Sequence, residues 1–178
     1  HLLYGIGLAS YVEITGLAAE EHGRITINAD GSVTADVGSS AQGQGHQTTF
    51  GMIIADQLGV PMDRITIRHT DTGALGQGVG TFGSLQLGGS ALHEASERLC
   101  DEMLPLAAAA LGAGEDDVAL DRATGHWRVL ADPSRQISWA DLVSRSRPSG
   151  SYAVDAKYTA KLSFAYGSHL AVVTVDIE

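Results

Sequence analysis

Gly38-Ser39-Ser40-Ala41-Gln42-Gly43-Gln44-Gly45-His46 joins an extended run to a helical one, and its reading decides the architecture. Upstream, Arg24–Asn28 and Ser32–Val37 flank Ala29-Asp30-Gly31, a hairpin with an Asp-Gly turn signal. Downstream, Phe50, Ile53, Ile54, Gln57 and Leu58 recur at helical spacing and predict an amphipathic helix over 46–58. Gly59 is placed to end that helix, and Pro61 prevents its resumption. Arg64-Ile65-Thr66-Ile67-Arg68 alternates polar and apolar side chains, as a half-buried strand does.

A second glycine-rich segment follows, Gly76-Gln77-Gly78-Val79-Gly80-Thr81-Phe82-Gly83-Ser84. It feeds a helical pattern over Leu87–Leu111, with Pro105 inside, where a kink is expected, and Gly112 at the end. Glycine lets backbone N–H groups approach a ligand closely, and a helix N-terminus adds partial positive charge. Two such segments side by side can cradle a large polyanion with backbone alone.

The remainder predicts a second hairpin (Asp117–Leu120 with Trp127–Leu130), a short helix over Ile137–Ser144 capped by Ser138, and strands over 149–161 and 168–176. The expected fold is α+β: a two-layer arrangement with a mixed sheet and hairpins packed against two main helices. One domain-sized piece is expected over 1–178, with ligand loops at 38–46 and 76–86 and a C-terminal strand pair at 149–178.

Composition excludes several function classes. The net charge is −10, from 11 Lys+Arg against 21 Asp+Glu, which argues against nucleic acid and anionic membranes. No segment has the run of apolar residues that a membrane-spanning helix needs. The single cysteine, Cys100, permits no intrachain disulfide and reads as a small buried side chain in a helix. A reducing, cytoplasmic setting is the expectation. Seven histidines are scattered without metal-ligand spacing, so no metal site is expected from this chain.

Gly78-Val79-Gly80-Thr81-Phe82-Gly83 spells G-x-G-x-x-G. A dinucleotide fold needs that run tight between strand and helix, with an acid ending the next strand. Here the preceding strand ends well before, at Arg68, and the acids at the expected distance, Asp101 and Glu102, fall mid-helix. Asp71, between Thr70 and Thr72, reads as a turn-bracing carboxylate. Gln44 and Gln86 are the amides best placed in the two segments, to brace the loops or to meet a heterocycle edge or metal oxo group.

Taken together, Ala41–Thr48, Ile53–Pro61, Asp63–Arg68, Thr70-Asp71-Thr72, Gly78–Ser84 and Phe164–Asp176 resemble the molybdopterin-binding large subunit of the xanthine dehydrogenase/aldehyde oxidase/carbon monoxide dehydrogenase family. The resemblance covers essentially the whole chain. It implies an oxidoreductase performing oxidative hydroxylation at a molybdenum centre, with molybdopterin cytosine dinucleotide as cofactor. It also implies partner subunits or domains carrying 2Fe-2S clusters and FAD, and a small-molecule substrate (aldehyde, N-heterocycle, purine or CO). On the matching positions, Gly43, Gln44, Gly45 and His46 belong to the first cofactor loop, and Thr81, Phe82, Gly83, Ser84 and Gln86 to the second. No catalytic residue is assigned, because the family's glutamate base lies in a Gly-Glu motif far beyond Glu178.

One departure stands out: the family's second loop commonly continues Ser-Arg, where this chain has Ser84-Leu85. The chain starts at His1 and stops at Glu178, inside what reads as a strand, so a piece of a larger subunit is expected. Its isolated form is expected to be inactive and without cofactor, with the rest of the large subunit as a partner. The alternative reading is a stand-alone anion- or nucleotide-binding module derived from such a subunit.

Overall fold

The structure is a computed structural model in which residues 1–15, 20–69, 83–147 and 150–178 are described. A four-stranded mixed sheet carries the core, in the order β4 (Ile65–His69), β3 (Val33–Val37), β2 (Glu20–Ile27), β8 (Tyr152–Thr159). β2 pairs antiparallel with both β3 and β8, whereas β3 and β4 run parallel. Parallel neighbours need a crossover. Here it is the amphipathic helix α1 (His46–Leu58), as the sequence pattern predicts.

The register explains why the apolar residues alternate. Ile67, Ala35, Ile25 and Val154 line up across the four strands, and Ile65, Val33, Ile27 and Tyr152 form the next row. Apart from partly buried Tyr152, these residues are buried, and α1 and the long helix α2 (Ser90–Leu111) pack against each other and against the sheet. Phe50, Ile54 and Leu58 of α1 meet Leu92, Leu99 and Met103 of α2 in this core. Gly23 lets α2 approach β2 backbone to backbone, since a Cβ there would stand 2.8 Å from the carbonyl carbon of Ala91. A π-turn at Leu85–Gly89 leads into α2, so the helical run begins two residues before the expected Leu87 and the regular α-helix only at Ser90; α2 runs through Pro105 without a break.

A three-stranded antiparallel sheet, β5 (Val118–Asp121), β6 (His126–Val129) and β7 (Asp132–Ser138), continues into helix α3 (Trp139–Ser146). Ser138 caps α3, accepting from the Asp141 N–H, as expected. The sequence pattern misses β7: its first five residues are exposed and carry no alternating apolar signal. Trp139 locks this unit to α1, donating its indole N–H to the Leu58 carbonyl at 2.9 Å.

The last two strands go to different sheets. β8 joins the core sheet, whereas β9 (Phe164–Asp176) pairs with β1 (Leu2–Ile14) in a separate antiparallel ribbon of thirteen residue pairs. That ribbon is exposed on both faces, including Leu3, Ile6, Leu8, Val12, Tyr166, Leu170 and Val172. No helix among the described residues is long and apolar enough to cross a membrane.

Candidate functional site

The first glycine-rich segment and the described end of the second, Gly83-Ser84, meet at the helix entrances. In the first, Gly43 (φ +101°) and Gly45 (φ +78°) take left-handed backbone that L side chains rarely adopt. At both positions the space a Cβ would fill is open, so the backbone is accessible from that side. Gly45 ends the loop and opens α1, which has no side-chain cap. The Thr48 and Thr49 N–H groups both donate to the Gly45 carbonyl at 3.0 Å, so among the described residues the His46 and Gln47 N–H groups are the ones the helix start offers to a ligand.

In the second segment, described from Gly83 onward, Gly83 again has positive φ (+62°), and its carbonyl accepts the Leu87 N–H at 2.7 Å. The π-turn Leu85–Gly89 then leads into α2. π-turns widen the helix by one residue and recur at functional sites.

Between the segments lies a cavity of about 640 Å³ lined by Thr15, Gln44, His46, Thr49, Gly83, Ser84, Leu85 and Gln86. Of the expected ligand-contacting residues, Gln44, His46, Gly83, Ser84 and Gln86 are thus brought to one cavity. Gly43 and Gly45 shape its first loop. Thr81 and Phe82, like Asp71, lie outside the described residues.

The side chains around the cavity are mostly engaged with their own scaffold. The Gln44 carboxamide folds back on its loop, accepting from the Gln42 N–H and donating to the Ser40 carbonyl at 3.3 Å. Gln86 donates to Ser163 Oγ at 2.8 Å, and Ser163 in turn meets Thr15, so this amide ties the second segment to the root of the exposed ribbon. His46, buried at the first position of α1, shares a 2.8 Å hydrogen bond with Ser84 Oγ and stacks on Phe50. Burial, and secondarily the charge of His69, hold its pKa below the ordinary imidazole value.

Other residues, with no motif of their own, set the loops. Gln47 donates to the Ile65 carbonyl and accepts the Ile67 N–H, so its amide occupies the open edge of β4 and pins the start of α1 to the sheet. Ser39 donates to the fully buried Glu21 at 2.7 Å. Gly88 presses on that pair: a Cβ there would stand 2.9 Å from Ser39 Oγ and 3.0 Å from Val37 Cγ2. Glu21 carries no sequence signal, because a buried carboxylate on a strand looks like a surface one until its partner is known.

Among the described residues no lysine or arginine lines the cavity. Among the described residues no cluster of His, Cys, Asp or Glu is arranged to hold a metal ion. An anion here would be met by backbone N–H groups, hydroxyls and a neutral imidazole.

A profile described as "Molybdopterin cofactor-binding domain" matches residues 1–178. The chain belongs to this family. It is 30% identical over 194 residues to the carbon monoxide dehydrogenase large chain of Hydrogenophaga pseudoflava, covering 98% of this chain and 24% of that protein. It is 28% identical to the nicotine 6-hydroxylase large subunit of Paenarthrobacter nicotinovorans, with 97% and 24% covered. The crystal structure of the Cu,Mo-CO dehydrogenase in its carbon monoxide reduced state superposes with a TM-score of 0.81 at 28% identity, over 98% of this chain and 24% of that one.

The chain therefore spans about a quarter of the length of the curated relatives it matches. The resemblance read from the glycine segments is borne out, as is the mixed α/β fold.

Proposed function

We propose that this chain forms one wall of the cofactor site in the large subunit of a molybdenum hydroxylase acting on an aldehyde, an N-heterocycle or CO. The observation that supports this reading is the cavity between the first glycine segment and Gly83-Ser84, with open space at Gly43 and Gly45 and no cationic side chain among the described residues of its lining. Such a wall suits a phosphate-bearing cofactor gripped by backbone N–H groups.

In this reading Gly43, Gln44, Gly45 and His46 approach the pterin side. Thr81, Phe82, Gly83 and Ser84 donate toward the pyrophosphate or dinucleotide of a molybdopterin cytosine dinucleotide, and Gln86 completes the second cofactor loop. When bound, that cofactor supplies the redox chemistry of hydroxylation, with electrons passing to 2Fe-2S and FAD partners. The chain's own residues bind and orient it. The scaffolding bonds of Gln44 and Gln86 fix the shape of the gap, and the neutral ring of His46 adds no charge to it.

The proton-transferring base belongs to the remainder of the large subunit, so the 178-residue chain alone should carry no molybdenum and show no turnover. The test is molybdenum content by mass spectrometry. The chain alone should hold far less than one equivalent. In the full-length subunit, Gly45→Val should lower the content sharply, because a β-branched residue resists positive φ. Stoichiometric molybdenum in the isolated chain, or an unchanged content in that variant, overturns the proposal.

A further inference from the structure

The two glycine segments are far apart in sequence, and something must set their separation. A side-chain hydrogen bond joins them: His46 Nε2 to Ser84 Oγ, 2.8 Å, in the protein interior. His46 is the first residue of α1, directly after the left-handed Gly45, and Ser84 directly follows the left-handed Gly83. The bond thus spans the gap at the point where each loop turns into its helix.

The ring is held by more than that bond. It is 2% exposed and stacks on Phe50, with centroids 4.4 Å apart and planes at 24°. Phe50 also lies beneath Gly88 in the π-turn, so the same aromatic supports both sides of the gap. Nδ1 is buried without a hydrogen-bond partner. An orphaned buried nitrogen costs stability. Among the described residues the Nε2–Ser84 bond is therefore the hydrogen bond that fixes the ring's polar edge.

Resting on the reading of this cavity as an anion site, we propose that His46 is a positioning residue that clasps Ser84 and holds Gly83-Ser84, at the start of the π-turn, at fixed separation from the first glycine segment, so that both backbones grip one pyrophosphate-bearing ligand. Phe in place of His46 keeps the stack and loses the bond. Gln keeps a donor close to the place of Nε2. Ala at Ser84 removes the other partner and leaves α1 untouched.

The experiment is amide hydrogen exchange on the full-length large subunit freed of cofactor, followed by TROSY NMR titration with millimolar inorganic pyrophosphate. In H46F and in S84A, the amides of residues 83–87 should exchange about tenfold faster while those of β2 and β3 stay unchanged. H46Q should restore slow exchange, and H46F/S84A should be no faster than either single variant. Pyrophosphate should shift amides of 43–46 and 83–86 together in the wild type, with about tenfold weaker binding in H46F and S84A.

Unchanged exchange at 83–87, or additive effects of the two substitutions, overturns the clasp, and S84A decides this even if H46F does not fold. Exchange coupling without any pyrophosphate response in the wild type overturns the anion reading and upholds the clasp. Pyrophosphate binding that is equal in all variants overturns the positioning role and upholds the anion reading.

Discussion

His46 is the residue on which the site turns, and its protonation gives the pH dependence a sign. The folded ring has a lowered pKa because it is buried and because His69 lies close. Stability that depends on a neutral ring is whole above the unfolded value of about 6.5 and is lost as pH falls through the lowered folded value. The chain should therefore melt at progressively lower temperature on that acid limb, and His46→Gln should flatten it. The ring's own titration, followed by NMR, should lie below that of a histidine in the unfolded chain. Cys100 illustrates the opposite case. Burial, reinforced by Asp101 and Glu97 and opposed by Arg122, pushes its thiol up to about 11. Alkylation by iodoacetamide near pH 8 should be slow in the native chain and fast in denaturant, because the thiolate is the nucleophile. The expectation of an inert, core-facing cysteine was available from its helical position; the lowered pKa of His46 was not, since it depends on burial by the tertiary fold and on His69 arriving from β4.

At the scale of elements, the close approach between the first glycine segment and the π-turn is the feature most open to test. Gly88 leaves no room for a Cβ beside Ser39, Val37 and Phe50. Gly88→Ala should cost about 1–3 kcal/mol, the usual range for overpacking, and should lower the melting temperature accordingly. A neutral effect on melting would show that Ser39 can give way. The boundaries of α1 were legible because both are marked locally, by Gly45 and Gly59 in left-handed conformation and by the apolar stripe between them. β7 was not legible: its residues Asp132–Gln136 are exposed, and only pairing with β6 makes them a strand. The same holds for β8 and β9, whose alternation marks them as strands but says nothing of their separate partners, β2 and β1.

For the molecule as a whole, the ribbon β1–β9 is the part that does not explain itself. Its apolar side chains, among them Ile6, Leu8, Tyr166 and Leu170, are exposed on both faces, far beyond the scattered apolar residues a free surface tolerates. As prepared alone, the chain should self-associate, seen as concentration-dependent size in analytical ultracentrifugation. Ile6→Lys with Val172→Glu, an opposite-charge pair at directly opposed positions, should reduce association without lowering the melting temperature, since neither residue belongs to the core. A ribbon that stays monomeric at high concentration would contradict this. The amino-acid order alone determined the helices, the half-buried strands, the acidic character and the glycine segments whose flanks carry the family likeness, because these depend on near neighbours and backbone freedom. Only the tertiary structure decided that the two segments share one cavity, that Glu21, Gln47 and Gly88 set its shape, and that the terminal strands leave the core sheet to form their own ribbon. Those outcomes rest on contacts between residues distant in the chain, where packing and hydrogen-bond partners, rather than local preference, choose the arrangement.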